Sequence, residues 1–106
     1  MEKRELGQSG VMVSPIAFGA WAIGGWMWGG ADRKDALKAI DACLDHEITT
    51  IDTAPVYGFG ASEEIVGKAI RGKRDRYELL TKCGLRWEGT SGEFYFTTTD
   101  NEGNET

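Results

Sequence analysis

Few folds accommodate a run of β-branched residues that follows a helical segment and ends in a carboxylate. In this chain the run is Ile48-Thr49-Thr50-Ile51, and Asp52 comes directly after it. β-branched side chains favour a pleated, half-buried strand, and a short run of this kind after a helix is typical of a βα unit. The pattern therefore predicts a parallel sheet covered by helices, with Asp52 at the carboxyl end of one strand.

The residues after Asp52 are predicted to form a loop that presents a phenol. Pro55 cannot donate to a strand ladder and disfavours helix for the residue before it. Glycines in the same stretch allow tight bends. We therefore interpret Thr53 to Gly60 as a loop that carries Tyr57 between the strand and the next helix.

A later strand-like run brings a lysine to the same edge of the sheet. Tyr77-Glu78-Leu79-Leu80-Thr81 ends in Lys82. Because the carboxyl ends of parallel strands meet at one edge, where α/β folds place their sites, Asp52, Tyr57 and Lys82 are expected to converge.

The chemistry of these side chains suits proton transfer. A phenol with the ordinary pKa of about 10 is a poor proton donor near pH 7, but a neighbouring ammonium favours the phenolate. A carboxylate paired with the lysine keeps that ammonium charged and in place. We therefore interpret Tyr57 as a general acid assisted by Lys82 and Asp52.

The stretch Ile51-Asp52-Thr53-Ala54-Pro55-Val56-Tyr57-Gly58 resembles the signature of the aldo-keto reductases. The similarity extends from about Leu6 through Trp87 and includes Ser62-Glu63-Glu64-Ile65-Val66-Gly67-Lys68-Ala69-Ile70 and Thr81-Lys82.

The resemblance implies an NADPH-dependent oxidoreductase that reduces aldehydes or ketones. In that family Asp, Tyr, Lys and a later His form a catalytic tetrad beside the nicotinamide. The first members of the tetrad match Asp52, Tyr57 and Lys82, whereas the histidine has no match in this chain. The residues that match Gly19, Ala20 and Trp21 line the nicotinamide and substrate site, and Asp52 joins them as a cofactor-binding residue.

A loop rich in glycine and tryptophan, Gly24-Gly25-Trp26-Met27-Trp28-Gly29-Gly30, follows the first predicted barrel strand. It does not form a GxGxxG dinucleotide fingerprint. Glycine lets a backbone approach a ligand closely, and tryptophan offers a flat apolar wall. We expect Trp21 and Trp28 to line a substrate pocket; packing within the protein is the alternative.

A second loop on the same face is predicted over residues 84–97. Two strand-like arms flank Glu88-Gly89-Thr90-Ser91-Gly92 and indicate a hairpin. Trp87, Phe94 and Phe96 would either help to close the substrate pocket or pack against one another. We include Trp87 among the expected pocket residues.

The length limits how much of a barrel the chain can form. A closed (β/α)₈ barrel needs ~250 residues, and this chain has 106. We therefore predict an incomplete (β/α)₈ TIM barrel of the α/β class: an N-terminal hairpin, about three βα strands and two helices within residues 1–97. Residues 98–106 contain no large apolar side chain and are predicted to be a disordered tail.

Two helices are expected to cover the sheet. The first has Asp32 as its N-cap, and the second has Ser62. His46 follows the first helix and should lie at the opposite end of the strands from Tyr57, so we do not assign it the missing catalytic role. Glu47 stands where the family usually has glycine; if the backbone still adopts a left-handed conformation there, the substitution costs about 1 kcal/mol of local stability.

Charge and cysteine content exclude several classes of partner. The formal net charge of −5 argues against nucleic acid and against an anionic membrane surface. Cys43 and Cys83 have no CxxC spacing, so neither zinc nor a dithiol motif is predicted. We expect Cys43 to be buried. No signal peptide or membrane span is recognisable, so a cytoplasmic location is expected.

Three hypotheses about function follow. The first is the reductase, acting on a small carbonyl substrate. The second is a truncated, non-catalytic fragment that associates with its missing half or with itself through an open barrel edge. The third, a small binding module that uses the tryptophan loop, leaves the arrangement of Asp52, Tyr57 and Lys82 unexplained.

Overall fold

The computed structural model describes residues 1–89 and 91–106. In chain order its elements are β1 (Arg4–Glu5), β2 (Met12–Val13), β3 (Ala17–Gly19), α1 (Trp21–Gly24), α2 (Arg33–Asp45), β4 (Thr50–Asp52), α3 (Ala61–Ile70), a 3₁₀ turn (Arg74–Arg76) and β5 (Glu78–Leu80). After an initial pair of short strands, β3 is followed by two helices, and a helix and a 3₁₀ turn lie between β4 and β5.

Strands β3, β4 and β5 form a parallel sheet in that order. Its register pairs Gly19 with Asp52 and Asp52 with Leu80, so the three carboxyl ends are level. The backbone N–H of Ala20 donates to the carbonyl of Asp52 at 2.9 Å, which extends the ladder past the strand ends. This confirms the predicted incomplete barrel, with its parallel sheet and helices.

The antiparallel hairpin β1–β2 lies at the amino end of the parallel strands. Ser14 follows it, and its Oγ accepts the backbone N–H groups of Thr49 at 3.2 Å and Thr50 at 3.1 Å. Because β4 begins at Thr50 and ends at Asp52, the hairpin is anchored at the end of the sheet away from Asp52.

Helix α2 begins and ends as its sequence predicted. The Asp32 carboxylate accepts the backbone N–H groups of Lys34 and Asp35 at 2.8 and 3.2 Å. At the other end Glu47 has φ +59°, so the backbone there is left-handed. The helix contributes Ile40 to the core, and Cys43 is buried as predicted.

Ser62 does not cap helix α3, and that prediction was wrong. The N-cap is Gly60, with φ +99°, and Ser62 is fully buried inside the first turn. Its Oγ donates to the carbonyl of Ala20 at 2.7 Å and is hydrogen-bonded to Thr53 Oγ1 at 2.9 Å. The serine therefore joins α3 to the segments after β3 and β4, because a buried hydroxyl is stabilised by several partners.

The region after β5 differs from both sequence expectations for it. None of the described residues 81–98 lies in a helix or strand, so the predicted hairpin arms at 84–97 are irregular; Thr90 lies outside the described residues. Residues 98–106, expected to be disordered, form a hydrogen-bonded turn in which Thr98 and Thr106 exchange two backbone hydrogen bonds of 2.8 Å. In the described part of the chain, no helix is long and apolar enough to cross a membrane.

Gly67→Ala is expected to stabilise the fold. Gly67 lies inside α3, and an added Cβ would have no heavy atom within 4 Å. Alanine in a helix interior is favoured over glycine by about 0.5–1 kcal/mol. Urea unfolding should show this gain. The matched change Gly72→Ala should instead destabilise, because Gly72 has φ +80°; the same sign for both would contradict the argument.

Candidate active site

The carboxyl edge of the sheet brings together the three predicted catalytic side chains. Asp52 is the last residue of β4, and Lys82 lies two residues beyond the end of β5. Tyr57 lies on the loop between β4 and α3. All three are at least partly accessible to solvent.

Lys82 is the centre of the hydrogen bonding at this edge. Its Nζ donates to Asp52 Oδ1 at 2.9 Å and to the backbone carbonyl of Thr53 at 2.9 Å. The same Nζ lies 5.0 Å from the centre of the Tyr57 ring, which is within the range of a cation–π contact. The ammonium is therefore held between the carboxylate and the phenol.

These contacts act on the protonation of Lys82. Partial burial lowers the pKa of the ammonium, but interactions with Asp52 and Tyr57 outweigh that effect, so the pKa is raised above its ordinary value. A raised lysine pKa favours the charged form, so the cation persists throughout the neutral range. Its contribution to stability is present below the ordinary lysine pKa and is lost as the pH rises through the raised value.

The loop that carries Tyr57 is a series of tight turns. The backbone N–H of Tyr57 donates to the carbonyl of Ala54 at 3.2 Å, and the N–H of Gly60 donates to that of Pro55 at 2.9 Å. The Tyr57 carbonyl in turn accepts the N–H of Ser62 at 3.1 Å. The phenol is thus presented by backbone that is bonded both to itself and to the start of α3.

Trp21 stacks on Tyr57. The ring centres are 5.5 Å apart and the planes differ by 12°. Trp26 and Trp28 pack against the same indole at 6.0 and 5.8 Å. The buried Nε1 of Trp21 has no hydrogen-bond partner among the described residues. A buried donor of this kind is costly unless an acceptor reaches it.

A cleft of about 310 Å³ opens beside these rings. Its lining is largely apolar and includes Trp21, Tyr57 and Lys82, together with Trp26 and Met27. The sequence indicated Trp26, with Trp21 and Trp28, as part of a pocket rim, although Trp26 was not in the final set of expected pocket residues.

The other two predicted pocket residues lie outside this lining. Trp28 is 59% exposed and packs against Trp21 in an edge-to-face arrangement. Trp87 packs edge-on against Phe59 at 5.7 Å and lines a neighbouring cleft of about 480 Å³. Phe96 stacks on Trp26, whereas Phe94 is 82% exposed.

The predicted cofactor-binding residues have different surroundings. Gly19 is exposed at the end of β3, level with Asp52. Ala20 is fully buried, and both its backbone N–H and its carbonyl are bonded within the chain. Ala20 therefore belongs to the buried layer behind the site, whereas Gly19 and Trp21 border the site.

His46 lies away from the site, and the described site residues form no metal-binding group. His46 is the C-cap of α2, at the end of β4 opposite to Asp52. Among residues 1–89 and 91–106, no group of three His, Cys, Asp or Glu side chains is placed to hold a metal ion.

The chain matches the sequence model of the Aldo/keto reductase family over residues 15–102. Over 90 residues it is 56% identical to the aldo-keto reductase YhdN of Bacillus subtilis, a match that covers 83% of this chain and 27% of YhdN. It is 42% identical to the NADH-specific methylglyoxal reductase of Escherichia coli, with 83% of this chain and 28% of that protein covered. The chain therefore spans less than a third of the length of these relatives.

Solved structures show the same likeness. The holo form of the aldo-keto reductase AKR11C1 from Bacillus halodurans matches with a TM-score of 0.75 and 38% identity, covering 90% of this chain and 30% of that one. An aldo-keto reductase from Klebsiella pneumoniae in complex with NADPH matches with a TM-score of 0.60 and 43% identity, covering 68% of this chain and 24% of that one.

Proposed function

Because this chain belongs to the aldo-keto reductase family, we propose that it supplies the catalytic edge of an NADPH-dependent enzyme that reduces aldehydes or ketones to alcohols. The observation that carries the proposal is the hydrogen bond between Lys82 and Asp52, 2.9 Å long, with the same ammonium 5.0 Å from the centre of the Tyr57 ring.

Each of these side chains has a role in the proposed reaction. Tyr57 donates the proton to the carbonyl oxygen of the substrate. Lys82 stabilises the negative charge that develops there and on the phenolate, because its cation is adjacent. Asp52 holds the Lys82 ammonium by a charge-assisted hydrogen bond. The apolar cleft beside Trp21 and Trp26 offers the substrate's carbon skeleton a largely apolar surface.

The residues at this edge fit a nicotinamide cofactor. Trp21 lines the cleft with an apolar ring, and its buried Nε1 lacks an acceptor among the described residues. Gly19, Trp21 and Asp52 would hold the nicotinamide end, with Ala20 supporting them. When bound, NADPH supplies the hydride. NADPH is proposed over NADH because a Klebsiella pneumoniae relative was solved with NADPH, although the Escherichia coli relative is described as NADH-specific.

The net charge and an exposed cysteine guide the proposed partners and cellular location of the enzyme. The substrate is a small carbonyl compound, and with a net charge of −5 neither nucleic acid nor an anionic membrane is proposed as a partner. An exposed free thiol at Cys83 suits a reducing compartment, so we propose the cytoplasm.

A second candidate function is a non-catalytic fragment that associates with its missing half or with itself. It is favoured by the length comparison and by the sheet, whose outer strands β3 and β5 leave unpaired edges in the described chain. Unpaired parallel edges promote association with another strand.

NADPH binding to the chain tests the proposal. Titration with NADPH should quench tryptophan fluorescence saturably, because Trp21 borders the cleft. Asp52→Asn should weaken binding roughly tenfold, because it removes a charged hydrogen-bond partner from the site. Asp41→Asn is the matched control, since Asp41 pairs with Lys73 on the outside of α2.

Each other outcome of the titration counts against part of the proposal. Equal weakening by Asp41→Asn would contradict the assigned site, and tighter binding of NADH would contradict the choice of cofactor. No saturation by a folded sample whose sedimenting mass exceeds 11.6 kDa would favour the self-associating fragment.

A further inference from the structure

The two segments that carry the stacked rings of Trp21 and Tyr57 contact each other at a pair of glycines. Helix α1 begins at Trp21 and ends at Gly24, and Gly58 directly follows Tyr57. A Cβ on Gly58 would lie 1.9 Å from the carbonyl oxygen of Gly24, and a Cβ on Gly24 would lie 2.6 Å from the carbonyl oxygen of Tyr57. The backbones are therefore in direct contact, so any shift of one loop against the other changes the stack.

One amide group spans this junction. Asn101 Nδ2 donates to the carbonyl of Gly24 at 2.9 Å and lies 3.4 Å from the carbonyl oxygen of Gly58. The amide NH₂ of asparagine carries two N–H donors, so one side chain can bind both carbonyl groups at once. Asn101 is separated in sequence from these glycines by 77 and 43 residues, so the contact is purely tertiary.

Asn101 is presented by a well-bonded hairpin, which we call the clasp and define as residues 98–106. The Asp100 carboxylate accepts the backbone N–H groups of Glu102 at 2.9 Å and Asn104 at 2.8 Å. The Asp100 N–H donates to the Asn104 carbonyl at 2.8 Å. These bonds lower the pKa of Asp100, chiefly through the N–H of Asn104. The Asp100 carboxylate is thus ionised at neutral pH and accepts these hydrogen bonds from the turn that carries Asn101.

The clasp has a second anchor on the tryptophan loop. Trp26 Nε1 donates to Thr98 Oγ1 at 3.1 Å, and the Phe96 ring stacks on Trp26 with centres 6.3 Å apart. The clasp, through Thr98, and Phe96 just before it therefore both contact Trp26, and Asn101 adds a contact with the Tyr57 loop.

We propose that Asn101 is a positioning residue, which fastens the Trp21 and Tyr57 loops together through the carbonyls of Gly24 and Gly58. Its role in catalysis rests on the proposed function of Tyr57. Without the amide the glycine junction loses its shared donor, and the Trp21–Tyr57 stack, now 5.5 Å between ring centres, loosens. A proton donor displaced by about 1 Å can lose up to a hundredfold in rate.

Near-ultraviolet circular dichroism of this chain is sensitive to the packing of Trp21 on Tyr57. The difference spectrum of Trp21→Phe identifies the Trp21 signal, and Asn101→Ala should diminish that signal. Asn104→Ala, the same chemical change at a neighbouring position of the clasp, should leave it intact, because the backbone bonds of Asn104 remain. Asn101→Asp should diminish it further, because a carboxylate would face two carbonyl oxygens.

Measuring turnover then distinguishes a positioning role of Asn101 from a role in folding alone. The assay measures NADPH-dependent reduction of benzaldehyde. The enzyme assayed is a completed barrel, in which this chain replaces the matched residues of the Bacillus subtilis relative. Asn101→Ala should lower kcat roughly tenfold to a hundredfold, with the KM for NADPH within about twofold because the clasp does not border Gly19 or Asp52.

Two outcomes would overturn the proposal: an unchanged Trp21 signal and kcat in Asn101→Ala, or equal losses in Asn104→Ala. The spectroscopic result stands independently of the proposed chemistry. A diminished Trp21 signal with benzaldehyde turnover insensitive to Tyr57→Phe would retain the fastening role and reject the role of Tyr57.

Discussion

Replacing Tyr57 with phenylalanine in the completed barrel is expected to lower kcat for benzaldehyde reduction by about 10²–10⁴-fold, the usual contribution of a positioned general acid. The phenol is the proposed proton donor, and it lies beside the Lys82 ammonium, 5.0 Å from Nζ to the ring centre. Phenylalanine preserves the ring, and with it the stack on Trp21 at 5.5 Å. The loss should therefore fall on kcat, while NADPH binding and stability change little.

Tyr95→Phe provides the matched control for this result. Tyr95 is 75% exposed and lies outside the cleft lined by Tyr57. It removes the same hydroxyl from a different ring, so turnover should be unaffected. Tyr57→Phe with more than about a tenth of the parent kcat would rule out the assigned proton donor, since even a modest general acid contributes more.

Gly58→Ala is expected to be the most destabilising of the glycine-to-alanine substitutions, at about 2–5 kcal/mol. Gly58 has φ +68°, which disfavours any side chain, and the new Cβ would lie 1.9 Å from the Gly24 carbonyl oxygen. The nearby atoms are backbone, so no side chain can move aside to relieve the clash. Because small domains are stable by only about 5–15 kcal/mol, urea unfolding should show a large fall in midpoint.

Gly60→Ala separates the cost of the steric clash at Gly58 from the cost of placing alanine in a left-handed backbone conformation. Gly60 has φ +99°, but an added Cβ would meet no heavy atom within 4 Å. It should cost only about 1–2 kcal/mol, the penalty of the left-handed conformation. Equal losses at Gly58 and Gly60 would show that the contact with Gly24 relaxes freely. The rigid glycine junction, on which the role of Asn101 depends, would then be wrong.

The regular elements near the sheet were predictable because their signals are local. The Ile48–Ile51 run, the Asp32 cap and the Glu47 turn each combine a backbone preference with neighbours a few residues away. The structure has β4, α2 and the left-handed Glu47 where those signals indicated. Local preferences are expressed when nothing in the tertiary structure opposes them.

Ser62 shows how tertiary contacts override a local signal. A serine before an acidic first turn is a good cap by preference, yet its hydroxyl here bonds to Ala20 and Thr53. Buried carbonyl and hydroxyl groups need partners more than an exposed helix end does, because water can serve the exposed end. Gly60 opens the helix instead.

For the clasp, a local signal was present in the sequence but was overlooked. Its composition lacks large apolar residues and was interpreted as disorder, but Asp100-Asn101-Glu102-Gly103 has the pattern of a tight turn with glycine in the left-handed position. The overlooked signal was local, whereas the contacts of Asn101 with Gly24 and Gly58 could not be inferred from spacing.

The βα order, the types of residue at the carboxyl edge and the family resemblance could all be inferred from the sequence, because they depend on periodicity and on short motifs. The three-dimensional fold was needed to show that Trp26 lines the cleft whereas Trp28 and Trp87 do not, that Ala20 is buried, and that a distant amide contacts both Gly24 and Gly58. Such contacts depend on how segments far apart in sequence pack, and packing is decided by the shape and hydrogen-bonding needs of all neighbours together.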